Sequence, residues 1–88
     1  MKVGFVYIIQ SQTLGIYYIG STHDPYTRLN EHNKGITIAT RNKGPWILKF
    51  TGQCTTMREA RQMEYKIKKL KRKDYIEQII KDGYIKKT

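Results

Sequence analysis

Two runs of β-branched and aromatic residues open the chain. Val3 to Gln10 is nearly continuous in Val, Phe, Tyr and Ile and reads as a strand. Ser11 to Leu14 is polar and turn-like, and Gly15 introduces a second such run, Ile16 to Gly20. The connection is short enough for an antiparallel hairpin. The period then changes. Asp24 followed by Pro25 marks a helix start: an acid at the N-cap, then a proline where a missing N–H costs nothing. This helix is expected to reach about Asn33 and to end near Gly35. Leu29 is its core anchor, with Pro25 and Tyr26 nearby, and Arg28 and His32, four apart, share a face rotated from Leu29. Lys34 to Pro45 is polar and reads as a loop, and Trp46 to Gln53 as the third strand. Thr56-Met57-Arg58-Glu59 spells a capping box before an apolar stripe at Met57, Ala60, Met63, Ile67 and Leu70. Asp74-Tyr75-Ile76-Glu77 is a second cap pattern, for a last helix that uses Ile76, Ile79 and Ile80 and stops at Gly83. The order β-β-α-β-α-α predicts one α+β domain, a small three-stranded antiparallel sheet flanked by helices.

Composition narrows the partners. The 88 residues include 17 Lys and Arg against 7 Asp and Glu, a net charge of +10. That excess points to a polyanion, nucleic acid ahead of a membrane surface, with plain solubility as the bland alternative. A domain this size buries only ~60–65% of its unfolded surface, so each apolar face matters. Cys54 is the single cysteine, which excludes an internal disulfide and a cysteine-based zinc site. No apolar run approaches the ~20 residues of a membrane span, and the N-terminus lacks the apolar core of a secretory leader. A cytoplasmic protein without a membrane partner is expected.

Several polar residues stand where chemistry needs them. Tyr7 and Tyr18 lie on the two hairpin strands. An unperturbed phenol titrates near ~10 and becomes a usable base only beside positive charge. Arg28 suits bidentate contact with a phosphate, and His32 exchanges protons near neutrality; taken alone, the pair reads more readily as a solvated helix face. Glu64 sits at the margin of the apolar stripe. A carboxylate there either pairs with Lys68, four residues on, or serves a hydrated magnesium, which takes one or two carboxylates plus phosphate oxygens. Gly20 permits a sharp exit from the strand or a close approach, and Ser21 and Thr22 bring hydroxyls for a phosphate or for the turn. Lys34, Arg41 and Lys43 in the loop, and the run Lys66, Lys68, Lys69, Lys71, Arg72 and Lys73, are candidate contacts to a nucleic-acid backbone.

Phe5-Val6-Tyr7, ten residues, Tyr18-Ile19-Gly20-Ser21-Thr22, then Asp24, Arg28, Leu29 and His32, Pro45-Trp46, and Glu59-Ala60 through Glu64, Ile67 and Lys68 form an ordered set. That set resembles the GIY-YIG nucleases over Val3 to Gly83, and among them the small single-domain bacterial members similar to the nuclease half of an excision-repair subunit. Gly15-Ile16-Tyr17 spells the family's first motif but abuts the second. Phe5-Val6-Tyr7 is therefore taken as the first motif, with Phe5 where the family has glycine. The resemblance implies that Tyr7 or Tyr18 activates water while the other orients it. It implies that Arg28 stabilises transition-state charge, that His32 assists the tyrosines, and that Glu64 holds a single Mg2+ or Mn2+. Gly20 and Ser21 would form the floor. The implied function is a DNA endonuclease of repair or processing, selective for structure or weakly for sequence. DNA is favoured over RNA, and a protein partner would supply finer specificity. A nucleic-acid-binding module that does not cut, and an interaction domain with incidental charge, are the alternatives.

Overall fold

The computed structural model describes residues 3–70 and 72–85. The first strand, β1, spans Gly4–Ser11, and its centre, Val6 to Ile9, is at most 1% exposed. Its near-continuous apolar sequence follows from its place: it is the middle strand, covered on both faces. The second strand, β2, spans Tyr17–Thr22, two residues further than the apolar run indicates, because Ser21 and Thr22 still pair with Val6 and Phe5. The third, β3, spans Trp46–Cys54. The sheet order is β2-β1-β3, antiparallel throughout. Opposite Ile8 and Ile9 the β3 register jumps from Phe50 to Leu48, a bulge that skips Lys49.

Helix α1 spans Pro25–Asn33, α2 Met57–Leu70 and α3 Lys73–Asp82. One sheet face buries Val6, Ile8, Ile19 and Phe50 against Ile67 of α2 and Ile79 of α3. The other buries Tyr7, Ile9 and Trp46 with Tyr18, Leu29 and Leu48, on the side of α1. Each fully buried aliphatic side chain contributes about 1.5–3 kcal/mol. The predicted α+β architecture and element order stand.

Local chemistry accounts for most boundaries. The Asp24 carboxylate accepts from the backbone N–H of Tyr26 and Thr27 and from the Thr27 hydroxyl, and Pro25 follows at the first turn. Those bonds hold the Asp24 carboxyl below its usual pKa. Gly35 and Gly83, at φ of +76° and +77°, supply the left-handed residues that end α1 and α3.

Some details differ from the pattern. Tyr26 is exposed and Leu29 only partly buried; the buried side chains of α1 are Pro25 and His32. The Lys34–Pro45 loop contains a 3-10 turn, Ile38–Thr40. Half of the Thr56 box forms: Thr56 Oγ1 accepts from the Glu59 N–H, while the Glu59 carboxylate takes the Thr55 hydroxyl. Leu70, counted in the apolar stripe, is 46% exposed at the helix end. Asp74 lies inside α3; the N-cap is Arg72, whose guanidinium is held by the Asp74 carboxylate. Lys71 lies outside the described residues. Among the described residues no helix is long and apolar enough to cross a membrane.

The tightest backbone approach is at Gly4. A Cβ there would stand 2.7 Å from the Thr56 carbonyl oxygen and 2.8 Å from the Met57 Cα. This glycine lets the start of α2 lie directly on β1, and it precedes Phe5, the position where a glycine was expected.

Candidate active site

The site is built outward from the Tyr7 phenol. Tyr7 is opposite Gly20 in the β1–β2 ladder, and Tyr18 is opposite Ile9, two positions along. Both tyrosines therefore stand on the α1 face. The Tyr7 ring lies across Gly20: a Cβ on that residue would meet its Cζ at 2.6 Å. Gly20 is thus required by a neighbouring aromatic ring, and a methyl group there would push Tyr7 off its seat.

From α1, His32 points inward and is 1% exposed, while Arg28, expected on the same helix face, stays partly exposed. Its Nε2 is 2.8 Å from the Tyr7 hydroxyl and its Nδ1 2.7 Å from the Thr40 hydroxyl. Thr40 in turn donates toward the Thr37 carbonyl at 3.5 Å, so it accepts from Nδ1–H. Nε2 is then bare and accepts the Tyr7 proton. Burial, reinforced by the nearby Arg28 charge and opposed by Glu31, lowers the His32 pKa to about 4, so the ring is neutral at pH 7. Tyr18 packs its ring edge-on to His32 at 5.0 Å between centroids.

Arg28 is one turn earlier on α1. Its guanidinium binds the Glu31 carboxylate at 2.8 Å, with 31% of the side chain still exposed. That bond raises its pKa further. Tyr7 is pushed up to about 12, first by burial, then by repulsion from Tyr18 and, more weakly, from Glu64; Arg28 pulls it down by charge and hydrogen bond. Tyr18, Arg28 and Glu64 thus all act on one phenol oxygen. At neutral pH Tyr7 is therefore a protonated donor.

Glu64 reaches this cluster because β2 is an edge strand, so α2 on the opposite face can extend side chains around it. Ser21 donates to Glu64 Oε1 at 2.5 Å, and Lys68 Nζ is 2.7 Å from Oε2. The same ammonium is 5.3 Å from the centroid of the Tyr18 ring. Lys68 therefore marks where the two faces meet. The Ser21 hydroxyl orients the Glu64 carboxylate.

Among the described residues no group of three or more His, Cys, Asp or Glu side chains could hold an ion. A protein cage is thus excluded within that part of the chain. A single carboxylate, 22% exposed, with an ammonium already at one oxygen, does fit a hydrated divalent cation that draws its other ligands from water and phosphate.

The family model described as the GIY-YIG catalytic domain matches residues 3–78, from the start of β1 well into α3. The chain belongs to the GIY-YIG family. A GIY-YIG domain has a nuclease fold with nucleic acid as its substrate, and GIY-YIG nucleases generally use a divalent metal. The chain is 40% identical over 68 residues to a UPF0213 protein of Halobacterium salinarum, covering 76% of this chain and 87% of that one. It is 37% identical over 78 residues to the UPF0213 protein YazA of Bacillus subtilis, covering 84% and 78%. A UPF0213 protein of Desulfotalea psychrophila is 38% identical over 68 residues, 75% of this chain and 61% of that one. No solved structure matches the chain at a significant level.

Within this GIY-YIG domain, Phe5-Val6-Tyr7 on β1 and Tyr18-Ile19-Gly20 on β2 lie on neighbouring strands and overlap at the Tyr7–Gly20 pair, while Gly15 and Ile16 lie in the connection. The structure brings Tyr7, Tyr18, Gly20, Ser21, Arg28, His32 and Glu64 together. The basic candidates lie elsewhere. Lys34 caps the C-terminal end of α1, and Arg41 in the following loop donates through Nε to the Gly35 carbonyl. Lys43 is exposed in the same loop, and Lys66, Lys69 and Lys73 are exposed on α2 and α3. Arg72 is tied to Asp74. Sequence reasoning missed Thr40, which fixes the His32 tautomer, and Asn33, which brackets the Trp46 backbone with bonds of 2.6 and 3.1 Å. Both act across the long loop, which no local pattern predicts.

Proposed function

We propose that this protein is a divalent-metal-dependent endonuclease that hydrolyses DNA phosphodiesters, acting in the cytoplasm in repair or processing. The observation that carries this is the run of contacts from Tyr7 through His32 and Tyr18 to Lys68 and Glu64, with Arg28 one helical turn before His32. Arg28, charged and partly exposed, faces the non-bridging oxygens and stabilises the charge they gain. The Tyr7 proton is directed at His32, so Tyr18, partly exposed, is the phenol that meets the attacking water. Tyr7 and His32 form the rigid wall behind it. Glu64 would hold Mg2+ or Mn2+, which supplies Lewis-acid charge at the phosphate and leaving oxygens. Lys68, itself 46% exposed, would give up the carboxylate to that ion and turn its ammonium to water. Water oxygen bonds to phosphorus, the 3′ oxygen leaves, and the ends carry a 5′-phosphate and a 3′-hydroxyl.

The purified protein is expected to nick DNA in magnesium and to stop in a chelator. Glu64→Gln and Tyr18→Phe are each expected to reduce cutting by roughly 10²–10³-fold, with fold and most binding retained. Cleavage at wild-type rate in both variants would displace the site from these residues. One observation favours the non-cutting reading: the Lys68 ammonium already neutralises Glu64. Salt-sensitive DNA binding with no cleavage under any divalent metal would select it.

A further inference from the structure

The outer face of α2 has no role in the site above. By helical spacing Arg58, Arg61, Gln62, Tyr65 and Lys69 share it, opposite the buried Ala60 and Ile67. Arg58, Arg61, Gln62 and Tyr65 line a shallow open groove of about 370 Å³. Tyr65 is 59% exposed, an aromatic ring left in water among cations. Among the described residues none of Arg58, Arg61, Lys66 and Lys69 has an ion-pair partner. The two acids of α2 are otherwise engaged, Glu59 by Thr55 and Glu64 by Ser21 and Lys68. Tyr26 is more exposed still, at 71%, but it follows the Asp24 carboxylate and lacks such a basic surround.

An exposed ring flanked by unpaired arginines is the chemistry of single-strand recognition: the cations follow the phosphates and the ring stacks on an unpaired base. A paired duplex offers no base face to such a ring. The position is also continuous with the carboxylate. Tyr65 directly follows Glu64, about 100° around the helix, and Arg61 is one turn before Glu64 on the same side.

We propose that the outer face of α2 binds an unpaired DNA strand, with Tyr65 stacked on a base and Arg58, Arg61 and Lys69 on its phosphates, leading the strand to the edge where Glu64 stands. This rests on the reading of the protein as a DNA nuclease and specifies its substrate: DNA with a single-stranded segment beside the scissile bond.

The test is binding of a labelled single-stranded oligonucleotide and of the duplex of the same sequence, by anisotropy in a chelator so that nothing is cut. Tyr65→Ala is expected to weaken single-strand binding roughly five- to hundredfold and to leave duplex binding within about twofold. Tyr65→Phe is expected to restore it. Equal effects of Tyr65→Ala on both DNAs, or none on either, would overturn the proposal, as would failure of Tyr65→Phe to restore binding. Circular dichroism checks that each variant is folded. Cleavage in magnesium is scored separately, so a protein that binds single strands through Tyr65 yet never cuts would sink the nuclease reading alone.

Discussion

A phenol and an imidazole sealed together at 1% exposure give the molecule a pH dependence of known sign. Unfolded, the His32 imidazole takes its proton at 6.5; folded, at about 4. Between those values the unfolded chain binds more protons, so stability is fully present above pH 6.5 and is lost as pH falls toward 4. The loss approaches about 3 kcal/mol for a shift of this size. Urea midpoints measured from pH 7.5 to 4 are expected to fall through this window in wild type and to stay flatter in His32→Gln. The Asp24 carboxyl, held below its usual range by the Thr27 and Tyr26 bonds, adds a loss at the acid end that is common to both proteins. At this scale the sequence spoke clearly where a residue is defined by its neighbours in the chain, as at Asp24 and Gly83. It was silent where a partner comes from far along it. Tyr7, Arg28 and Glu64 were legible as candidates. The inward turn of His32 was not, because its acceptor Thr40 sits in a loop whose path no periodicity encodes.

Among the elements, α2 carries most of the candidate residues: Glu64, Lys68 and the basic outer face. Its seat is fixed by Gly4, where β1 and the first turn of α2 are too close for a side chain. Gly4→Ala is expected to cost about 1–3 kcal/mol by urea denaturation, the range for overpacking a fixed interface. A change within about 0.5 kcal/mol would mean that the helix start shifts freely. The strands and helices themselves were readable from period and caps, to within one or two residues at most ends. The errors have physical causes. β2 runs on through polar Ser21 and Thr22 because edge-strand ladder bonds do not require apolar side chains, and Asp74 enters α3 because Arg72 draws its carboxylate outward. The close backbone approach of β1 to α2 falls at Gly4, one residue before the motif Phe5-Val6-Tyr7, and no local pattern marks it.

Over the whole molecule, a net charge of +10 predicts binding that weakens steeply with salt. Replacing Lys66 and Lys69 by glutamine is expected to make the slope of log K against log salt shallower by about 1.5, read from titrations between 50 and 200 mM salt. An unchanged slope would place the phosphate contacts on other residues. The layered arrangement also decides how this small sheet is open to elaboration. Chemistry from both faces meets around the free rim of β2, where Lys68 spans from Glu64 to Tyr18. A fourth strand laid along that rim would cover these side chains and wall them off from a nucleic acid. Any enlargement of the sheet, by an inserted segment or by a companion protein, therefore has only the far side of β3 on which to grow.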